Sequence, residues 1–235
     1  MNKQTIMLKI TGELFLDPIT KQFTRKYADS LAEQIKQLSN TYTFGIVIGG
    51  GAFFRGNKNI KNLALRPTTA HTIGMMATSM SSLLLYDIFN DHTLASVILN
   101  SFECTPVGYT VNVQTLDDAH AKNKIIIFGG GTGNPFVSTD TCAIIRAKQI
   151  GAQQVWKATT IDGVYSTDPR IDPSAKFIKK LNYQEALDNQ LEFMDHTAII
   201  LAKQEQIVIR VFDIFAPNAL INAAHDKNVG STIQA

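Results

Sequence analysis

The sequence has little of what marks several common protein classes. Only two cysteines occur among its 235 residues, Cys104 and Cys142, which excludes a disulfide framework or a four-cysteine zinc site. Its longest apolar runs, such as residues 125–128, fall far short of the roughly 20 residues that cross a bilayer. The residues after Met1 lack the apolar core of a secretory signal. We therefore expect a cytoplasmic location.

An excess of charge of one sign is also absent. Lys and Arg number 22 against 20 Asp and Glu, a net charge of +2, which is too balanced for binding nucleic acid by bulk charge. Hydrophobic residues make up 45% and charged residues 18%, a composition typical of a globular protein. The length fits one domain, so we predict a single domain over residues 1–235.

Standard nucleotide-binding motifs are missing as well. No G-x-x-x-x-G-K-[ST] occurs, which excludes a P-loop enzyme. Residues 129–135 read GGGTGNP, so the G-x-G-x-x-G pattern of a dinucleotide-binding fold is not met. The protein-kinase signatures are absent too.

What the sequence does contain is a regular alternation of apolar strands and amphipathic helices. Near-continuous apolar strands between helices indicate an α/β fold with a mostly parallel sheet covered on both faces. Strands are predicted at 5–10, 44–48, 94–99, 106–109, 124–128, 154–158 and 207–212, and helices at 21–38, 68–89, 139–150, 183–187, 194–206 and 217–224. We expect the methionines and leucines of the 68–89 helix on its buried side.

Three predicted strands end in turns of small residues, and two of these turns are rich in glycine. The turns are Thr11-Gly12, residues 49–51 and residues 129–133. Ligands of open α/β sheets bind beyond the carboxyl ends of the strands, and glycine lets the backbone approach a phosphate closely. One such turn can be a simple strand exit, but three in one chain favour a phosphate or nucleotide site.

Lys9 lies in the middle of an apolar strand, two residues before Thr11. A buried lysine is costly unless its ammonium group has an anionic partner. One interpretation is an edge-strand lysine with its ammonium group in solvent. The other is a cation directed at phosphate oxygens at the strand end.

Five segments resemble the bacterial UMP kinase family, a branch of the amino-acid kinase family. They are IMLKITGE at 6–13, VIGGGAFFRG at 47–56, GMMATSM at 74–80, GGTGNPFVSTD at 130–140 and WKATTIDGVYSTDP at 156–169. The resemblance covers essentially the whole chain. It implies a three-layer sandwich that transfers the γ-phosphoryl group of ATP to UMP, with Mg²⁺ bound to ATP. It also implies a homohexamer, GTP or UTP as effectors, and neither nucleic-acid nor membrane partners.

The resemblance also implies roles for individual residues. Lys9, Arg55 and Asp140 match catalytic positions, with Asp140 beside the lysine. Positions that match ATP contacts are Lys9, Ile10, Thr11, Gly12, Gly51, Arg55, Thr159, Tyr165 and Asp168. The N-terminal part of the chain would bind mainly UMP, and roughly 155–235 mainly ATP.

The UMP side is expected in two places. Matching positions are Gly50, His71, Thr132, Gly133, Asn134, Pro135, Phe136, Val137, Ser138 and Thr139. At His71 the sequence departs from the family, which usually has an aspartate there, so we expect one weaker contact to UMP. Asp140 has a second interpretation as a carboxylate that stabilises the start of a helix.

Two other functions stay open on this reasoning. Molybdenum storage proteins have the same fold and hold oxyanion clusters, and other amino-acid kinases phosphorylate an acyl substrate. Lys9, Arg55, Asp140 and the segment TGNPFVSTD argue against both. Residues 52–66 and 166–174 show neither helical nor strand periodicity, and we expect surface loops there, the first over a site.

Overall fold

The computed structural model describes residues 3–54, 63–226 and 229–235. Within them, eleven strands alternate with seven α-helices. The strands are β1 (Gln4–Ile10), β2 (Tyr42–Ile48), β3 (Ser96–Asn100), β4 (Tyr109–Thr110), β5 (Ile125–Gly129), β6 (Gln154–Thr159), β7 (Val164–Tyr165), β8 (Phe177–Ile178), β9 (Lys180–Asn182), β10 (Val208–Asp213) and β11 (Ser231–Gln234). The helices are α1 (Lys26–Leu38), α2 (Pro67–Asp91), α3 (Val113–Ala121), α4 (Thr139–Gln149), α5 (Tyr183–Asp188), α6 (His196–Glu205) and α7 (Ala219–His225).

Nine strands form one sheet in the order β4-β3-β5-β2-β1-β6-β10-β11-β9. The pairing is parallel except between β10 and β11, and β7 with β8 makes a separate antiparallel pair. β1 lies in the centre, paired with β2 on one side and β6 on the other. The predicted α/β fold with a mostly parallel sheet is confirmed.

Helices cover both faces of the sheet because side chains alternate along each strand. One face packs against α4, α5 and α6 around Met7, Phe128 and Val155. The other face packs against α1, α2 and α7 around Leu8, Ile46 and Phe212. Parallel strands buried on both faces explain the near-continuous apolar strand segments.

The buried side of α2 differs from our prediction. Met76 and Met80 are 55% and 49% exposed, and Leu83 and Leu84 are also exposed. The buried positions are mostly small or polar, among them Ala77, Thr78, Ser79, Ser81 and Ser82. The reason is close packing: a Cβ on Gly50 would lie 2.7 Å from the Ala77 Cβ, which leaves no room for a methionine.

Length and composition alone would let α2 cross a membrane, with 44% of its most apolar window buried inside the protein. Its contacts to β3 and β5 show that it packs as a core helix of this fold.

Some predicted boundaries were wrong, and some elements were missed. Residues 105–107 form a turn and only Tyr109–Thr110 pair as a strand, while α1 begins at Lys26 rather than residue 21. The missed elements are α3, β7, β8, β9 and β11. The strands are short, and α3 buries only Ala119, so its apolar periodicity is weak.

Candidate functional site

The first two strand-end turns pack directly against each other. The Gly49 N–H donates to the Ile10 carbonyl (2.9 Å), and a Cβ on Gly12 would lie 2.3 Å from the Gly49 oxygen. Thr11 N–H reaches the Ala158 carbonyl at the end of β6 (3.2 Å). Glycine at position 12 is therefore required by close backbone approach, and the ends of β1, β2 and β6 meet at one edge.

Two lysines converge on one carboxylate at this edge. Lys9 on β1 and Lys157 on β6 are register partners, so their side chains lie on the same sheet face. Lys9 Nζ is 3.1 Å from Asp140 Oδ1, and Lys157 Nζ donates to Asp140 Oδ2 at 2.6 Å. Lys157 also donates to the Phe193 carbonyl. Asp140 comes from the first turn of α4.

The electrostatics of this cluster follow from burial and charge. Burial alone would raise the pKa of Asp140, but the lysines outweigh it and lower that pKa to about 2. Burial lowers the pKa of Lys157 to about 8, since the attraction of Asp140 offsets only part of the lost solvation, and Lys9 repels.

Lys9 retains more hydrogen-bonding capacity than Lys157, which donates to Asp140 and to the Phe193 carbonyl. Its ammonium group carries three donors. Within the described residues its one polar contact is the ion pair with Asp140. Its side chain is 12% exposed, so an anion can reach these donors.

A second carboxylate joins the two helices above the cluster. Asp195 accepts hydrogen bonds from the Ser138 and Thr141 hydroxyl groups and from the Ala198 N–H at the start of α6. Ser138 is the N-cap of α4 and accepts from the Asp140 and Thr141 N–H groups. The cap residue is thus Ser138, while Asp140 lies in the first turn, where a carboxylate is also favourable.

A cavity of about 210 Å³ opens on one side of the cluster. Five of the residues that we predicted for UMP line it: Gly50, His71, Asn134, Val137 and Thr139. The His71 ring packs against the Phe136 ring with 4.6 Å between centroids. We name this the acceptor cavity.

The glycine-rich segment beside the acceptor cavity has an unusual backbone. Gly130, Gly131 and Gly133 have φ values of +75°, +57° and +79°, in the left-handed region that favours glycine. The Gly130 N–H donates to the Thr78 hydroxyl group on α2 (2.9 Å). The end of β5, the helix α2 and the glycine-rich segment therefore form one wall of the acceptor cavity.

A larger cavity, about 350 Å³, opens on the other side and is named the donor cavity. Two predicted ATP-binding residues, Tyr165 and Asp168, line it, as do Arg170 and Phe193. Arg170 binds Asp168 through two hydrogen bonds of 2.7 and 2.9 Å, which lower the pKa of that carboxyl group to about 2. The 166–174 segment is a loop, as predicted.

The lysine cluster stands between the two cavities. Thr139 lines the acceptor cavity, and the next residue, Asp140, binds both lysines. Phe193 lines the donor cavity, and its carbonyl accepts from Lys157. The buried lysines therefore lie next to both cavities, and each cavity could hold one of two reacting molecules.

Not every predicted residue is brought to these cavities. Thr132, Gly133, Pro135, Phe136 and Ser138 belong to the segment beside the acceptor cavity without lining it. Ile10, Thr11, Gly12, Gly51 and Thr159 lie at the strand-end edge, with Thr159 ending β6. Arg55 and most of the predicted loop over the site lie outside the described residues.

Sequence reasoning missed Lys157, Asp195 and Arg170. Lys157 carries the same signal that identified Lys9, a lysine inside an apolar strand (VWKAT). Asp195 precedes an apolar helix as an N-cap residue would. Arg170 had no periodic signal, because it lies in a loop.

Comparisons with known proteins agree with one another. The Amino acid kinase family matches residues 4–213. The "Uridylate kinase" of Mycoplasma pneumoniae is 36% identical over 220 residues, 93% of each chain. The "Uridylate kinase" of Thermotoga maritima is 37% identical over 229 residues, 97% of this chain and 98% of its own. The crystal structure of UMP kinase from Ureaplasma parvum superposes with a TM-score of 0.94 at 32% identity, covering 100% of both chains.

Proposed function

The chain belongs to the amino acid kinase family, and from that premise we propose that it is a UMP kinase, transferring the γ-phosphoryl group of ATP to UMP. The observation that carries this proposal is the Lys9–Asp140–Lys157 cluster between two cavities. The relatives named uridylate kinase match over nearly the full chain, which disfavours the oxyanion-storage and acyl-kinase alternatives.

The reaction needs positioning and charge neutralisation more than covalent help. An oxygen of the UMP phosphate forms a bond to the γ-phosphorus, the bond from that phosphorus to the bridging oxygen breaks, and ADP leaves with the electron pair. The attacking oxygen is already ionised, so no general base is required. Lys9 donates to phosphoryl oxygens as charge develops, and Asp140 holds the Lys9 ammonium group in place.

The two cavities take different substrates in this proposal. UMP occupies the acceptor cavity, with Gly50, His71 and residues 132–139 around it. ATP occupies the donor cavity, with Tyr165 and Asp168 around its nucleoside, and its phosphates reach Lys9, residues 10–12, Gly51 and Arg55. The chain is one domain, with residues 155–235 mainly on the ATP side.

ATP enters as its complex with a divalent metal, and we propose Mg²⁺. Asp140 is engaged by two lysines, and the described residues contain no cluster of three His, Cys, Asp or Glu side chains. The metal is therefore held mainly by ATP phosphates, as is common for Mg²⁺.

The assembly and its regulation extend the same proposal. We propose a cytoplasmic homohexamer in which the exposed residues Met76, Met80, Leu83 and Leu84 of α2 form an interface. Light scattering that returns the mass of one chain would contradict the hexamer. GTP and UTP are the proposed effectors, and initial rates against UMP with each added give the sign of the response.

The decisive experiment measures UDP and ADP formed from UMP and MgATP, with CMP as a control. We expect UDP from UMP and much slower turnover of CMP. Equal rates on both, or no UDP, would refute the assignment. Thermal shift with UMP, aspartate, glutamate and molybdate separates the alternatives, since a ligand at 100 times its Kd stabilises by about 2.7 kcal/mol.

A further inference from the structure

Arg146 is a buried cation that the proposed reaction does not use. It lies on α4, six residues after Asp140, and is 6% exposed. Its guanidinium carbon is 5.3 Å from the centre of the Phe128 ring, and Nη1 donates to Gln149 Oε1 at 2.6 Å. In the described part of the chain no carboxylate pairs with it. A buried guanidinium without a counter-charge is costly, so the groups that its donors contact decide what role it has.

Arg146 also lies close to the Cys142 thiol on the same helix, and a further contact leads to the acceptor cavity. Nη2 donates to Ser101 Oγ at 2.7 Å, and Ser101 Oγ donates to the Gly131 carbonyl. A hydroxyl group has one hydrogen to donate. Because the guanidinium approaches Ser101 Oγ as a donor, the serine hydrogen is directed to Gly131. Charge on the first donor strengthens the second bond.

Gly131 lines the acceptor cavity and leads into residues 132–139. The segment lies directly on the residues after β3: a Cβ on Gly133 would be 3.0 Å from the Ser101 carbonyl oxygen, and one on Gly130 would be 2.7 Å from the Phe102 ring. With positive φ at three glycines, this backbone has many alternative conformations. A hydrogen bond to the Gly131 carbonyl favours one of these conformations. It fixes the direction of the carbonyl, and because the peptide group is planar, it also fixes the orientation of the peptide unit that follows Gly131.

We propose that Arg146 is a positioning residue for the acceptor subsite, acting through Ser101 on the Gly131 carbonyl. This inference rests on the proposed function, in that the acceptor is UMP. It assigns to Arg146 and Ser101 an effect on UMP binding, although neither residue lines the cavity.

The test compares Arg146→Met and Ser101→Ala with the unmodified protein. Losing a hydrogen bond to a charged group predicts a KM for UMP about tenfold higher in both, with the KM for MgATP changed by less than about twofold. The KM for UMP of the double variant should not exceed the higher of the two single-variant values, since both changes break the same chain of hydrogen bonds. Arg146→Lys should restore part of the affinity.

Arg210→Met is the matched control, because Arg210 is 8% exposed and lies outside both cavities. All variants are assayed at a temperature where circular dichroism shows them folded. An unchanged KM for UMP, equal rises for both substrates, or the same rise in Arg210→Met would overturn the proposal. If Arg146→Met does not fold, Ser101→Ala alone decides.

Amide hydrogen exchange gives a readout that needs no activity. Peptides covering residues 129–138 should exchange faster in Arg146→Met and Ser101→Ala than in Arg210→Met or the unmodified protein. Unchanged exchange would overturn the positioning role. If the unmodified protein forms no UDP, the proposed function fails, and the exchange result still decides whether Arg146 orders the segment.

Discussion

The two faces of the central strands hold buried cations in different ways. On one face, Lys9 and Lys157 share the carboxylate of Asp140 beside two cavities. On the other, Arg210 of β10 donates to the backbone carbonyls of Ala223, Asp226 and Val229 at the end of α7. Val211 pairs with Lys157, so Arg210, one position away, points to the opposite face.

The difference in hydrogen-bond partners distinguishes a cation that is available to a ligand from one that stabilises the fold. Arg210 spreads its donors over three carbonyl groups and closes the end of a helix. Lys9 keeps donors that the described protein groups do not take up. Burial of a positive charge therefore does not identify a functional residue; what its donors contact does.

The largest expected effect is on the Arg210 face. Arg210→Met leaves three carbonyl groups without their donor, one of them buried and two partly buried. A buried group left without a partner costs about 1–3 kcal/mol and a partly buried one less, so we expect a loss of about 3 kcal/mol in the free energy of unfolding. Denaturant titration measures it, with Arg25→Met as a surface control expected to change the free energy of unfolding far less, because ion pairs of exposed side chains contribute little. A fall in kcat at a temperature where the variant is folded would show that the two faces are not separate.

On the ligand face, Lys9→Ala should act on turnover instead. We expect kcat to fall roughly a hundredfold or more, about 2.7 kcal/mol, as when one preorganised donor is removed. UMP should still bind, because Lys9 faces the ATP side in our proposal. Steady-state kinetics with Lys3→Ala as the control, an exposed lysine just before β1, measures the effect. Near-normal turnover would make Lys9 a simple strand residue.

A smaller effect concerns Lys157 and pH. Its folded pKa of about 8 lies below its ordinary value of 10.5, so between these values the unfolded chain binds more protons and raising the pH favours the folded state. The free energy of unfolding should rise by about 2 kcal/mol across pH 8 to 10.5, relative to Lys157→Met. Titrating both proteins with denaturant at several pH values isolates this residue from other groups. If the free energies of unfolding of the two proteins change with pH in parallel, the lowered pKa of Lys157 is contradicted.

The smallest effect concerns His71 in the acceptor cavity. A carboxylate accepts two hydrogen bonds from ribose hydroxyl groups, while a neutral histidine has one acceptor nitrogen. His71→Asp should lower the KM for UMP by about two- to twelvefold and leave the KM for ATP unchanged. Replacing UMP with deoxy-UMP should harm this variant more than the parent. His120→Asp is the exposed control, and a KM that stays constant or rises would refute the hydrogen-bond argument.

The sequence was most informative where the chemistry is unusual for its surroundings. Lys9 inside an apolar strand predicted a partner for its charge, and the structure brings Asp140 to it. Lys157 carries the same signal, a lysine inside an apolar strand, and was not predicted. Three residues that line the acceptor cavity, Asn134, Val137 and Thr139, were predicted from the segment TGNPFVSTD, which the resemblance identified.

Other features could not be predicted from pattern. Methionine and leucine on α2 suggested burial, but the close approach of Gly50 fixes small residues on the inner side. The Arg146–Ser101–Gly131 contacts join three elements distant in sequence. Arg170 binds Asp168 within a loop, where no periodicity indicates a pairing.

The central position of β1 has a consequence for how the chain folds during synthesis. β1 is made first, yet Ile6 pairs with Gln154 of β6 as well as with Phe44 of β2. The edge of β1 that pairs with β6 thus stays unpaired until β6 has been synthesised. Unpaired edges of apolar strands are sites of aggregation. We expect nascent chains that end before β6 to depend on chaperones, whereas chains that extend through β10 should not.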